Sequence, residues 1–209
     1  MIEAKNVSFK YGKHYVLHEI DIEFDMGLHL LKGPNGSGKT TLCKIISGLL
    51  KPTNGKVYID GVNIYGEGDG EILNKVIYVH DKPIILNKSV YENIVFGGII
   101  QGLKKVNIED LINRFKLENL LNKNARELST GYKQLVSLLR AFVVEPHYLI
   151  LDEPFSNLDD EFRDRILEYL INYSKKHSII IATHTPYLDE IATTITYINN
   201  GKIKKRISR

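Results

Sequence analysis

A run of glycines, a lysine and two threonines at residues 33–41 has the spacing G-x-x-x-x-G-K-T, which could bind a phosphate. Glycine adopts backbone angles that are closed to other residues, so successive N–H groups of such a loop can curl around a phosphate. Lys39 would bring a positive charge to the β- and γ-phosphate oxygens of a nucleotide, and the Thr40 hydroxyl could reach a magnesium ion. The candidate nucleotide-binding residues are therefore Gly33, Pro34, Asn35, Gly36, Ser37, Gly38, Lys39, Thr40 and Thr41.

The segments on either side of this loop have the patterns of a strand and a helix. Residues 28–31 form a short apolar run, and the apolar residues after the loop recur at the spacing of one helix face. These residues are Leu42, Ile45, Ile46, Leu49 and Leu50. A helix that begins here would point the positive end of its dipole at the phosphate. This context favours a nucleotide-binding loop over a chance glycine-rich turn.

Two acidic residues follow a second apolar strand and could complete the chemistry of the loop. Residues 148–151 have the length and composition of a buried strand, and Asp152 and Glu153 come directly after it. Asp152 could hold magnesium opposite the threonine of the loop. Glu153 could orient and polarise a water molecule that attacks the γ-phosphate. The sequence therefore predicts hydrolysis of a nucleoside triphosphate at this site.

Two further side chains allow both a functional and a structural interpretation. His184 follows the apolar strand 179–182, so it could reach the γ-phosphate from the same sheet edge, or it could be structural. Tyr11 lies in a turn between two N-terminal runs, where it could stack on an adenine ring or simply cover the surface. The residues around each of them leave both alternatives open.

The remaining strand and loop signals place these elements in an α/β fold. Residues 20–24 alternate between apolar and acidic side chains, which is typical of a strand with one wet face. Residues 56–61 predict another strand, residues 66–70 a glycine-rich loop, and residues 76–79 a buried parallel strand. That last strand ends just before Asp81, at the edge where α/β sheets bind ligands.

Helical signals fill most of the rest of the chain. Residues 87–125 are helical in pattern and polar in composition, which predicts an inserted helical subdomain. Residues 128–131 begin a helix with an apolar stripe of Leu135, Leu138, Leu139, Phe142 and Val143. A later helix carries Phe162, Ile166 and Leu170, and Asn200-Gly201 predicts a hairpin turn near the end of the chain.

Composition limits the number of domains, the kinds of partner and the cellular compartment that we expect. The 209 residues are 43% hydrophobic and 25% charged with a net charge of +3, which fits one globular domain and does not favour nucleic acid as a partner. The basic C-terminal residues are better explained by a solvated strand than by an anionic membrane surface or nucleic acid. Cys43 is the only cysteine, and no apolar run reaches the length of a membrane span. We therefore expect a cytoplasmic protein that meets a membrane only through a partner.

Together these features resemble the ATP-binding subunit of ABC transporters over essentially the whole chain. Residues 33–40 are similar to the Walker A motif of that family, residues 149–152 to its Walker B motif, and Glu153 to its catalytic glutamate. Residues 128–134, Leu-Ser-Thr-Gly-Tyr-Lys-Gln, resemble the LSGGQ signature that is diagnostic for the family. Further similar positions are Tyr11 at the adenine-stacking aromatic, Ser156–Asp159 at the D-loop, Ser89–Ile94 at the start of the helical subdomain and His184 at the switch histidine.

The resemblance implies a fold, a reaction and partners. The fold class would be α/β, a P-loop NTPase three-layer core with an N-terminal antiparallel β subdomain and a helical subdomain at about residues 87–145 of a single domain. Magnesium-dependent hydrolysis of ATP would use Lys39, Glu153 and His184 as catalytic residues. Two ATP molecules would be held between two copies, or between two similar subunits. Ser129 and Gly131 of each subunit would bind the nucleotide that the other subunit holds. Membrane-spanning subunits would place the chain on the cytoplasmic face of the membrane.

Two positions depart from the family pattern. Thr130 and Tyr132 replace a glycine and a glutamine of the signature, while its serine and second glycine remain. The glutamine that senses the γ-phosphate and magnesium in the family falls on Asp81, which would serve either the metal or the membrane partner. A soluble ABC protein of iron–sulfur cluster assembly, a P-loop nucleotide kinase and a nucleotide switch with little turnover are the alternative functions.

Overall fold

The computed structural model describes residues 1–66 and 70–209 and contains two β-sheets. The predicted loop 66–70 lies largely outside the described residues. The smaller, antiparallel sheet has the order β2-β1-β4-β5 and contains β1 (Ile2–Tyr11), β2 (His14–Phe24), β4 (Asn54–Ile59) and β5 (Val62–Asn63).

The larger sheet has six strands in the order β10-β9-β3-β8-β7-β6 and is parallel except for β10. Its strands are β3 (Gly27–Lys32), β6 (Val76–Val79), β7 (Tyr148–Asp152), β8 (Ser178–Ala182), β9 (Thr194–Asn199) and β10 (Lys202–Ser208). Since Asp152 pairs with Ala182 in register, the segments after β7 and β8 leave the sheet side by side. This parallel edge is where the candidate site residues meet.

The described helices lie mainly between strands of the larger sheet. They are α1 (Lys39–Ile46), α2 (Gly70–Leu73), α3 (Val90–Ile100), α4 (Glu109–Phe115), α5 (Thr130–Phe142) and α6 (Asp160–Ser174). Side chains of Ser89, Ser129 and Asp159 accept N–H bonds at the starts of α3, α5 and α6, as helix N-caps do. The segment 87–145, predicted to be a subdomain, contains α3, α4 and α5; that it forms a separate unit stays a prediction.

The core has two layers, one on each face of the six-stranded sheet. Leu149 and Leu151 of β7 pack into a cluster with α3 to α6, whereas Tyr148 and Ile150 pack into a cluster with α1 and the antiparallel sheet. Successive strand side chains point to opposite faces, so a strand buried on both faces feeds both layers. The predicted α/β three-layer class is confirmed by this arrangement.

Three sequence predictions need correction. The first helix ends at Ile46 rather than reaching Leu50, because Gly48 has a φ of 81° that breaks the helix, and Leu49 is therefore 64% exposed. The strand predicted at 56–61 is β4, which ends at Ile59, because the next two residues turn with positive φ. Strand β6 is parallel as predicted but only partly buried, because it forms an edge of the sheet.

We expect the buried His29 to make the fold less stable in acid. Its ring is 1% exposed and lies 2.9 Å from both the Thr194 hydroxyl and the Asp25 carbonyl oxygen. Burial lowers the pKa of His29 below its ordinary value of 6.5. Below about pH 6.5, His29 is protonated in the unfolded chain but stays neutral in the folded chain. The free energy of unfolding therefore falls as the pH drops below this value.

We expect protonation of His29 to lower the free energy of unfolding by up to about 1.4 kcal/mol per pH unit, which is the largest slope that one proton can give. The measurement is denaturant unfolding between pH 7.5 and 5. In His29→Gln the acid-side slope should decrease, whereas His14→Gln, at an exposed position, should keep it. An unchanged slope in His29→Gln would contradict this explanation.

Within residues 1–66 and 70–209, no helix is both long enough and apolar enough to cross a membrane.

Candidate functional site: a nucleotide cleft

The loop 33–38 connects β3 to α1, and two of its glycines are required by close neighbours. A Cβ atom on Gly33 would lie 2.0 Å from the Ile198 carbonyl oxygen, and one on Gly38 would lie 2.6 Å from a methyl group of Leu17. Gly38 has a φ of 107° and caps α1 without a side chain. A side chain at either position would clash with these neighbours, so both positions require glycine.

A hairpin from the other end of the chain holds the loop in place. The Gly201 N–H donates to the Ser37 carbonyl oxygen at 3.0 Å, and the Gly201 carbonyl accepts from the His18 N–H at 2.9 Å. Asn200 and Gly201 both have positive φ, as the predicted turn between β9 and β10 requires. The C-terminal hairpin thus links the phosphate loop to the N-terminal sheet.

The start of α1 is receptive to an anion. The first intrahelical bond runs from the Leu42 N–H to the Gly38 carbonyl, so the N–H groups of the first turn are left for another acceptor. The Lys39 side chain is 6% exposed and donates to the Gly33 and Pro34 carbonyls at 2.7 and 3.2 Å. In the described part of the chain, the buried Ser37 hydroxyl has no hydrogen-bond partner. These donors fit the phosphates of a nucleotide.

Most of the predicted loop residues and the predicted carboxylates meet around one cleft of about 340 Å³. Its lining consists of Val16, Asn35, Gly36, Ser37, Gly38, Lys39, Thr40, Thr41, Asp81, Asp152 and Glu153. The other predicted site residues do not line this cleft, namely Gly33, Pro34, Tyr11, Ser129, Gly131 and His184. Tyr11 is 54% exposed with its ring edge-to-face on Phe9, so its own contacts leave both interpretations of it open.

Asp152 is a buried carboxylate at the floor of the cleft. It is 1% exposed, and the Tyr78 hydroxyl donates to its Oδ2 at 3.1 Å. Burial raises the pKa of Asp152, while the Thr40 and Tyr78 hydroxyls oppose that rise by hydrogen bonding to the charged form. Sequence reasoning missed Tyr78, because a tyrosine within an apolar strand gives no signal of its own.

The oxygen donors here suit magnesium. Carboxylates and a threonine hydroxyl are hard ligands of the kind that this ion prefers, and Asp152, Thr40 and Asp81 all line the cleft. Across the described ranges, no three His, Cys, Asp or Glu side chains are grouped so that they alone could hold a metal.

Glu153 is held in an unusual backbone conformation beside the same cleft. Its φ is 45°, and its N–H donates to the Ala182 carbonyl at 2.8 Å, which extends the pairing of β7 with β8. His184 Nδ1 lies 2.9 Å from one carboxylate oxygen of Glu153, and the Thr183 hydroxyl lies 3.3 Å from the other. His184 therefore contacts Glu153, although its side chain is 65% exposed.

Asp81 faces the cleft from the segment after β6. One of its carboxylate oxygens contacts His80 Nδ1, and the charge of Asp81 contributes to the raised pKa of Asp152. His80 itself lines a neighbouring apolar groove rather than the cleft. The sequence pattern placed Asp81 at the edge of the sheet, but it gave no indication of this pair.

Ser129 and Gly131 lie at the start of α5. The Ser129 hydroxyl accepts the Tyr132 N–H at 3.5 Å, and Ser129 is exposed. A Cβ atom on Gly131 would lie 2.6 Å from the Asn157 carbonyl oxygen, so this glycine is required by a close backbone approach. Asn157 has a φ of 69° and belongs to the segment that follows Glu153.

The fold and the cleft together define a nucleotide-binding protein of the P-loop class. The family model described as ABC transporter matches residues 17–156, a range that includes the loop, the α5 start and both carboxylates at the end of β7. The chain therefore belongs to the ABC transporter family, as one of its ATP-binding subunits.

Three known proteins illustrate the similarity. A protein of Pyrococcus abyssi (strain GE5 / Orsay), named as an ABC transporter ATP-binding protein, is 38% identical over 98% of this chain and 82% of its own length. The energy-coupling factor transporter ATP-binding protein EcfA1 of Mycoplasma mobile is 35% identical over 97% of this chain and 78% of its own. A dimeric ATP-binding cassette solved in a post-hydrolysis state with ADP and Pi is 25% identical, with a TM-score of 0.87 over 100% of this chain and 98% of its own.

Proposed function

We propose that this ATP-binding subunit hydrolyses ATP to ADP and phosphate in a magnesium-dependent reaction at the cleft. The observation that carries the proposal is the convergence of Lys39, Thr40, Asp152 and Glu153 on one cleft at the carboxyl edge of the sheet. The α1 N–H groups and Lys39 bind the β- and γ-phosphates. Glu153 orients a water molecule for attack on the γ-phosphate and accepts its proton.

The supporting side chains divide the remaining tasks. Thr40, Asp152 and Asp81 would hold magnesium, and the bound ion would neutralise charge on the phosphate oxygens. His184 contacts Glu153 at 2.9 Å, and its exposed side chain would also reach the γ-phosphate of a bound nucleotide. Tyr11 stacks on the adenine. Except for Asp81, which stands where the family has a glutamine, these residues take the roles that the family pattern gives to their positions.

Ser129 and Gly131 act on the nucleotide of a second subunit. Both lie outside the cleft of their own chain, at a helix start suited to phosphate. Two copies, or this chain and a similar subunit, would therefore hold two ATP molecules between them. The similar cassette solved as a dimer supports this arrangement.

A membrane-spanning partner fits an apolar groove beside the cleft. The groove encloses about 520 Å³ between β6, α3 and α5, and three of its lining residues are more than half exposed, namely Leu49, Ile84 and Ile100. His80 lines the groove while the adjacent Asp81 lines the cleft, so one short segment touches both. The chain would thus be peripheral on the cytoplasmic face of the membrane.

We expect Ile100→Glu to abolish transport in the assembled transporter while it leaves ATP hydrolysis by the isolated subunit unchanged. A charge in an apolar interface costs several kcal/mol of binding, which at about 4 kcal/mol is roughly a thousandfold in affinity. The measurement is co-purification with a polytopic membrane protein, together with phosphate release. Val62→Glu places the same charge at an exposed apolar residue outside the groove and should have no effect. Equal co-purification of both variants would contradict the docking site, and partners that are all soluble would favour an assembly function instead.

Asp81→Gln restores the residue type of the family and tests the role of Asp81 at the metal. Without magnesium, Asp81 would repel the γ-phosphate by roughly 4 kcal/mol for unit charges 4 Å apart at an effective dielectric of 20. We expect ATP binding to persist while the magnesium concentration for half-maximal turnover rises about tenfold. An unchanged magnesium requirement with reduced transport would assign Asp81 to the membrane partner instead. The matched control is Asp110→Gln, which makes the same change at an exposed position in the first turn of α4, outside the cleft, and should leave the magnesium requirement unchanged.

A further inference from the structure

Thr183 is a buried residue to which no motif assigns a role. It follows β8 directly, is 1% exposed, and its N–H donates to the Leu31 carbonyl of β3 at 3.0 Å. The backbone of Thr183 is therefore fixed between two central strands. Its hydroxyl lies 3.3 Å from Oε2 of Glu153.

The hydroxyl of Thr183 has a second set of contacts that determines where its proton points. Thr185 brings its N–H to the Thr183 oxygen at 3.2 Å, and its own hydroxyl lies 2.9 Å away. A hydroxyl has one proton and two lone pairs. When Thr185 donates both its N–H and its O–H, the lone pairs of Thr183 are used and its single proton is directed at Glu153.

The two contacts of the Glu153 carboxylate differ in burial. His184 reaches Oε1 from a side chain that is 65% exposed, whereas Thr183 reaches Oε2 from the interior of the sheet. A buried donor on a fixed backbone holds its geometry when an exposed side chain changes partners. Glu153 also has a backbone φ of 45°, and this uncommon conformation restricts the direction in which its side chain leaves the backbone.

We propose that Thr183 is a positioning residue that holds the Glu153 carboxylate in its hydrolytic orientation, with Thr185 orienting the Thr183 hydroxyl. This inference rests on the proposed function of Glu153. Under this proposal, the adjacent residues Thr183 and His184 at the end of β8 have different roles. His184 is free to contact the γ-phosphate, and Thr183 keeps the carboxylate aligned with the attacking water.

Steady-state hydrolysis of ATP by full-length Thr183→Val tests the proposal, because valine keeps the shape and removes the hydroxyl. Misplacement of a catalytic group by about 1 Å can cost roughly a hundredfold in rate, so we expect kcat to fall 10- to 100-fold. The KM for ATP should stay within about twofold, and Thr183→Ser should restore kcat to within about threefold. Among the described residues, the buried Thr196 hydroxyl has no hydrogen-bond partner, so Thr196→Val is the matched control and should keep kcat.

Two further variants separate this inference from the proposed function. In a Glu153→Gln background, Thr183→Val should cause no additional loss, because the group that it positions is already removed. Thr185→Val leaves the Thr183 hydroxyl but removes one of its donors, and it should lower kcat about threefold even if Thr183→Val folds poorly. Wild-type kcat in both Thr183→Val and Thr185→Val, with Glu153→Gln inactive, would overturn the inference alone. A wild-type chain that releases no phosphate would overturn the proposed function and the inference with it.

Discussion

Glu153→Gln should bind ATP and fail to hydrolyse it. Glutamine keeps the shape of the side chain but cannot accept the proton of the attacking water, and general-base catalysis is worth about 10²- to 10⁴-fold in rate. The affinity for ATP should stay close to that of the wild type, because Lys39 and the start of α1 are untouched. Phosphate release and filter binding of labelled ATP measure the two effects separately.

The matched control for this substitution is Glu168→Gln. Glu168 is an exposed residue of α6 that pairs with Arg114, outside the cleft. The same loss of charge there should leave turnover unchanged. Near-normal turnover in Glu153→Gln would remove Glu153 from the reaction, and loss of ATP binding would show that it acts on the ground state instead.

Ser129→Arg should abolish the ATP-dependent dimer. The hydrolysis-deficient Glu153→Gln chain with ATP should sediment at twice its mass of 23.9 kDa, and the added Ser129→Arg should return it to the monomer. An arginine at this exposed helix start is too large to sit where a partner's phosphate must approach. In the wild-type background, hydrolysis should fall about 100-fold, as expected when donors to the transition state are lost.

Ser129 also caps α5, so the loss of its hydroxyl has a structural cost of about 1 kcal/mol that must be separated from any effect on dimerisation. Ser129→Asp keeps a capping oxygen but brings a negative charge toward phosphate, so it should also block the dimer. Asn172→Arg adds a cation at an exposed position near the end of α6 and should leave the dimer intact. A dimer that persists in both Ser129 variants would show that the start of α5 does not meet the partner's nucleotide.

The parts of the site that local spacing determines could be predicted from the sequence. A strand, a glycine-rich turn and a helix start form one continuous segment, so the local sequence alone predicts the conformation of residues 33–41. Asp152 and Glu153 were predictable because the ends of parallel strands meet at one edge of a sheet. The early end of α1 was missed, because the apolar residue Leu49 continues the helical pattern although Gly48 has already ended the helix.

Contacts between distant segments could not be predicted. Gly201 supports Ser37 through a backbone bond across most of the chain, and backbone groups give no sequence signal. Thr183 approaches Glu153 only because β7 and β8 pair in a particular register. The close approach of Gly131 to Asn157 likewise depends on how α5 packs against the segment after β7. Residue types indicated the chemistry, but tertiary packing determines which side chains hold the reacting groups.

The most direct test of the central claim is phosphate release from ATP by the full chain, with and without magnesium, beside Lys39→Ala. Lys39 is the buried cation at the phosphate loop, so its removal should lower turnover at least about 100-fold. We predict release of free phosphate that requires magnesium and is lost in Lys39→Ala. Equal phosphate release by Lys39→Ala and the wild type, or transfer of the phosphate to a small acceptor in place of water, would contradict the assignment of this cleft as an ATP-hydrolysing site.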